Sequence, residues 1–192
     1  MTSYCQYALK EWLVTIDSLR AGRQIILLRK GGIHEQRDGF RVEHSDFFLF
    51  PTFLHQSQQA LHPAFRTQWE HQPGMKAPTI ILNTYAKVQE LIPILKLEAL
   101  RGLDGLHTLD WATVEQRFFY RNRPGLNLLL LRVYQLTVPQ SVENLDRYDG
   151  CVSWVELDRA VPLAGAEAVL GASTFDQQAE LIRNLTAQHL LL

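Results

Sequence analysis

Six basic residues, Arg20, Arg23, Arg29, Lys30, Arg37 and Arg41, fall within 22 positions that hold only Glu35 and Asp38 as acids. Guanidinium and ammonium groups at that density supply the charge-assisted donors that an anionic ligand needs. Arg29 and Lys30 run straight into Gly31 and Gly32, whose backbone permits a turn and a close approach of ligand to amide. These four residues and Arg41 form the first candidate binding set. The segment matches neither a phosphate-binding P-loop nor a dinucleotide fingerprint, and the plain alternative is a hairpin edge guarded by solvated charge.

A second cluster, Arg117, Arg121, Arg123 and Arg132, surrounds Phe118, Phe119 and Tyr120. Stacking rings mixed with guanidinium groups are what single-stranded nucleic acid exploits, so Arg121 and Arg123 join the candidate set. Core aromatics on a helix explain the rings equally well. Five of seven histidines, His34, His44, His55, His62 and His71, lie near Glu35, Glu43, Asp46 and Glu70. A metal-dependent hydrolase or nuclease using residues 34–71 is therefore an alternative. No His-Glu-x-x-His or Cys-x-x-Cys spacing supports it, so no metal and no cofactor is expected. Gly-x-Ser-x-Gly is absent too, and Cys151 reads as a small residue entering a strand.

The elements that must position these groups follow from periodicity. Residues 7–21 place Leu9, Trp12, Leu13, Ile16 and Leu19 at helical spacing, with Gly22 where a helix-ending glycine belongs. Residues 24–28 read as a buried strand that delivers Arg29 and Lys30. Strands are expected at 40–42 and 47–50, the latter stopped by Pro51, with antiparallel hairpins in this region. Residues 55–71 look helical with a break at Pro63. A short strand at 79–82 leads into extended chain through Pro93, and 97–103 is a weak helix or connection. Asp110 is the expected N-cap of a helix through Phe119. Residues 128–136 form the most apolar run and suit a central strand, with Trp154 packing near it. After a turn at 148–151, residues 152–157 alternate as a strand. The tail is a helix over about 174–189.

Strands occur in both halves without regular β-then-helix alternation, so the expected class is α+β: a mostly antiparallel sheet or open barrel with packed helices. With 192 residues, 46% of them hydrophobic and 20% charged, and no linker-like run, one domain over 1–192 is expected. Cys5 and Cys151 are expected to be unpaired, as suits a reducing compartment. Neither a signal peptide nor a run of about 18 apolar residues is visible, which points to the cytoplasm and away from membranes. A net charge of −1 argues against gripping duplex DNA by bulk electrostatics. Oligomeric state is not legible.

Five ordered blocks, Ala8–Trp12, Leu27–Ile33, Phe48–Thr52, Leu131–Tyr134 and Tyr148–Leu157, together resemble domain-of-unknown-function family 1802, a bacterial family common in cyanobacteria. That resemblance implies a bacterial cytoplasmic protein and brings no mechanism with it. Gly22-Arg-Gln-Ile-Ile-Leu-Leu-Arg29 is similar to the Gly-x-Lys-x-x-Glu-x-Arg signature of ASCH domains, relatives of the RNA-binding PUA barrel. Gln24 stands at the lysine position and Leu27 at the glutamate position. This second resemblance implies a PUA-like open barrel and a nucleotide- or RNA-binding module in which Arg29, Lys30 and the Gly31 and Gly32 amides meet a phosphate. A protein-interaction scaffold is the further alternative.

Overall fold

The computed structural model describes residues 4–30, 33–36, 39–53, 57–69, 77–150 and 152–187, with side chains for all of these except 33–36 and 39–41. In chain order the strands are β1 (Tyr4–Trp12), β2 (Ile26–Arg29), β3 (Ile33–Gln36), β4 (Gly39–Val42), β5 (Asp46–Thr52), β6 (Thr79–Ile94), β7 (Leu126–Glu143), β8 (Trp154–Pro162) and β9 (Ala166–Ala168). The α-helices are α1 (Leu13–Arg20), α2 (Trp111–Phe118) and α3 (Ala172–Ala187).

The main sheet runs β2-β7-β6-β5-β1-β8, with β9 on β7, while β3 and β4 form a separate hairpin. All pairs are antiparallel except β1 with β5. This is an α+β fold with a mostly antiparallel, open sheet. Its spine is the long β6–β7 hairpin, whose register shifts twice, between Leu82 and Thr84 and between Val88 and Glu90. Each irregularity adds local bend and twist, so one hairpin can serve different parts of the core. Leu128 and Leu130 belong to an apolar cluster shared with α2 and α3, whereas Leu129 and Leu131 belong to another with Leu9, Phe47 and the partly buried Trp154. That alternation is the strand period of two, and burial of both faces explains the unbroken leucine run.

Several expectations need correction. The helix over 7–21 is helical only from Leu13, because Tyr4–Trp12 is a strand. Helical spacing there is real, but β1 gains a ladder on each side, parallel to β5 and antiparallel to β8, and pairing between distant segments overrides the local period. Pro51 does not stop β5; it lies in register with Glu11. The expected helix over 55–71 is a pair of 3-10 turns, Gln58–Ala60 and Pro63–Gln68, within the described part of that range. Gln24 and Ile25 precede β2 rather than belonging to it.

Local signals held where they were strongest. Gly22 adopts φ +68° and closes α1, its amide donating to the Leu19 carbonyl at 3.0 Å while Arg23 N–H reaches Ser18 at 3.0 Å. Asp110 caps α2, its Oδ1 accepting from Thr113 N–H at 2.8 Å. The tail helix begins slightly earlier than expected, at Ala172. No helix among the described residues is long and apolar enough to cross a membrane. Cys5 is buried and unbridged, while Cys151 lies outside the described residues.

Candidate functional site

Arg29 ends β2, and its guanidinium reaches the C-terminal end of β1, a strand to which β2 is not hydrogen-bonded. Nη1 donates to the Glu11 carboxylate at 2.9 Å and to the Lys10 carbonyl at 3.0 Å. The other Glu11 oxygen accepts the Trp12 amide at 2.9 Å. Glu11 is only 5% exposed, so the arginine both neutralises a buried carboxylate and staples two ends of the sheet.

Against this pair α2 lays a second cation. The Arg117 guanidinium sits 4.8 Å from the Trp12 ring centroid and has no hydrogen bond or ion pair among the described residues. Burial lowers its pKa, nearby Glu11 raises it and Arg29 lowers it again. Two arginines thus lie near one carboxylate, which only Arg29 contacts, and this leaves the spot with an excess positive charge. Cation and ring attract, and that contact holds Arg117 in place without consuming its donors.

Behind Arg117 opens a cleft of about 210 Å³ including its mouth. Its polar wall is Glu11, Thr15, Gln24, His107, Thr108 and Arg117, and Leu27, Leu28 and Leu109 complete it. The Thr15 and Thr108 hydroxyls share one hydrogen bond at 2.7 Å. Gln24 donates to the Ile26 carbonyl at 2.9 Å, while its Oε1 is buried with no partner among the described residues. His107 is 3% exposed, and neither ring nitrogen makes a hydrogen bond there, although the Leu109 backbone lies close enough to favour its protonated form. Burial dominates and pushes His107 down to about 4; Asp104 opposes this, His62 and Arg117 add to it. The imidazole is therefore neutral at physiological pH, one nitrogen a donor and the other an acceptor.

Lys30 has a different task from the one its sequence neighbours suggest. Its ammonium donates to the carbonyls of Phe118 at 3.0 Å, Gly125 at 2.7 Å and Arg123. Three carbonyls use all three donors. Burial and nearby Arg123 lower its pKa. The turn it grips contains Arg121 and Asn122 at φ 58° and 54°, a left-handed conformation costly for side chains with a Cβ. Lys30 thus clamps the end of α2, and with it Arg117, onto β2.

The remaining candidates are dispersed. Arg121 and Arg123 are exposed on the clamped turn, Arg121 lying 5.2 Å from the Tyr120 ring centroid. Arg132 points instead to α3, 4.7 Å from the Phe175 ring centroid. His44 stacks on Tyr7 at 3.6 Å, and His62 lies 4.0 Å from Asp104. Gly31, Gly32, Arg37, His55, Glu70 and His71 lie outside the described residues, as do the side chains of His34, Glu35 and Arg41. Among the described residues no three of His, Cys, Asp and Glu gather where they could hold a metal ion. Glu11, Thr15, His107 and Thr108 belong to no recognisable sequence motif. Their signal in the sequence is slight: Glu11 follows Leu9 and Lys10 and precedes Trp12, and His107 and Thr108 stand between Leu106 and Leu109.

The sequence profile of the family described as domain of unknown function (DUF1802) matches residues 8–181. The chain belongs to that family. The DUF1802 match takes in every cleft residue named above. No curated protein matches the sequence. Among solved structures, the ASCH protein of Zymomonas mobilis aligns with this DUF1802 chain at a TM-score of 0.46 and 11% identity, covering 80% of this chain and 87% of that one. Two single-residue variants of that protein align at TM-scores of 0.45 and 0.44, with 10% and 11% identity over 80% of this chain and 90% and 88% of theirs.

Proposed function

We propose that this chain is a cytoplasmic nucleotide- or RNA-binding module whose phosphate contact is made by Arg117 beside the Arg29–Glu11 pair. The observation that carries the reading is Arg117 itself: a half-buried guanidinium, pinned by a ring, with its donors uncommitted among the described residues. Guanidinium donors in a partly dry site favour phosphate oxygens strongly. Arg29 adds field and fixes Glu11, so the carboxylate cannot swing over to quench Arg117. Lys30 acts as a positioning residue. Arg121 and Arg123, on the turn after α2, and Gly31, Gly32 and Arg41 are proposed outer contacts along a strand.

Fluorescence anisotropy with short single-stranded RNA at several salt concentrations tests this. Wild type should bind more weakly as salt rises. Arg117→Gln should reduce the slope of log affinity against log salt by about 0.7, the value of one phosphate contact on a single strand. Its melting temperature should stay close to wild type. Lack of salt-dependent binding in the wild type, or equal slopes in the two proteins, would sink the reading.

A further inference from the structure

The donors and acceptors that line the cleft are more particular than a phosphate contact alone requires. Arg117 offers only donors. Gln24 Oε1 is an acceptor without a donor, and neutral His107 offers one donor and one acceptor, both unused among the described residues. A phosphodiester carries acceptors only. It would satisfy Arg117 and leave the Gln24 oxygen and one imidazole nitrogen unpaired, and an unmade hydrogen bond in a buried site is costly. A phosphate monoester differs because it can hold a proton, its second pKa lying near 6. That proton can be donated to Gln24 or to the imidazole.

Size points the same way. The cleft is far too small to enclose a whole small molecule. Its interior has room for about one water-sized group, so a bound ligand would insert a single oxygen among the lining residues, which include His107, Gln24 and Arg117, with the rest of the ligand outside. Charge favours an anion beside Arg117, where Arg29 and Arg117 outnumber the Glu11 carboxylate, while Asp104 acts on His107 in the opposite sense. Whether the proton sits on phosphate or on His107, the total for the assembly is the same.

Resting on the phosphate reading above, we infer that the cleft formed by β1, α1, α2 and residues 107–109 selects a terminal phosphate monoester, with His107 and Gln24 reading its proton. The monoester can belong to the end of an RNA strand or to a free nucleoside monophosphate.

The test is competition at constant ionic strength near pH 6.5 on the intact wild-type chain. One RNA sequence is compared with a 5′-phosphate, a 3′-phosphate and hydroxyl ends, beside a nucleoside monophosphate. At least one phosphate-ended strand should bind about tenfold or more tightly than the hydroxyl-ended one, as expected for a hydrogen bond gained rather than left unmade. Inorganic phosphate should displace it, and sulfate, of the same shape but without the proton, should be at least about tenfold poorer. His107→Gln and Gln24→Met should each erase the preference for phosphate over sulfate. Preference for the strand over the monophosphate identifies the RNA end, and parity identifies the free nucleotide. Equal binding of phosphate-ended and hydroxyl-ended strands, or of phosphate and sulfate, overturns the monoester inference while salt-dependent binding leaves the phosphate reading standing. Absence of any binding overturns both.

Discussion

His107 shows how environment rather than residue type sets chemistry. An imidazole that titrates near 6.5 in the open chain is held neutral down to about 4 by burial, with His62 and Arg117 adding to the effect and Asp104 opposing it. Between those two values the unfolded chain binds more protons than the native one. Stability from this group is thus present above about pH 6.5 and is lost as pH falls towards 4. The full difference amounts to about 3 kcal/mol. We expect His107→Gln to lose less stability than wild type between pH 7 and pH 4.5, measured as denaturant midpoints. Parallel losses in the two proteins would show that the ring is not buried neutral. Lys30 and Arg29 make a related point: adjacent cations of the same basic segment end in different roles, one gripping carbonyls and one pairing a carboxylate. Their density was legible in the sequence; their partners, which lie on other elements, were not.

Helix α2 is the element on which the candidate site depends. It carries Arg117, starts at the Asp110 cap, packs Val114 and Phe118 into the core, and ends under the Lys30 clamp. The cap was readable because it acts within three residues, an acceptor side chain meeting an otherwise orphaned amide. Asp110→Ala should cost about 1 kcal/mol, within the roughly 0.5 to 2 kcal/mol known for lost caps. Chemical denaturation measures it, and an unchanged midpoint would mean that α2 is held by packing alone. At the opposite extreme, β1 was read as helix. Its last five residues are all buried and show no alternation, so the choice belongs to its partners β5 and β8, some 40 and 145 positions away.

On the scale of the molecule, β1 joins two parts of the sheet, brings Glu11 to the cleft and sets the Trp12 ring against Arg117. Ala8, Leu9 and Trp12 are all buried, and β1 supplies the one parallel pairing of the described sheet. Removing residues 4–12 would expose edges of both β5 and β8 and strand the Arg29 guanidinium. Such a truncation should lose cooperative unfolding and its near-ultraviolet circular dichroism, whatever remains of the β6–β7 hairpin. A sharp, native-like thermal transition in the truncated chain would refute this central role. Non-local pairings of this kind pay loop-closure entropy before contacts reward them, so the fold cannot be assembled from neighbouring segments alone.

The sequence by itself determined the α+β class, the central leucine-rich strand, the Gly22 stop and the Asp110 start. Each rests on interactions within a few residues, or on an apolar run that has to be covered whatever covers it. It also determined that basic residues crowd 20–41 and 117–123. Only the tertiary structure decided that Tyr4–Trp12 is a strand, that Lys30 serves the chain's own carbonyls, and that Glu11, Gln24, His107 and Arg117 face one cleft. Those four come from separate segments spread over more than 100 positions, and what unites them is strand pairing and helix packing. Periodicity reports which face a residue occupies, and it carries no information about which distant face lies opposite.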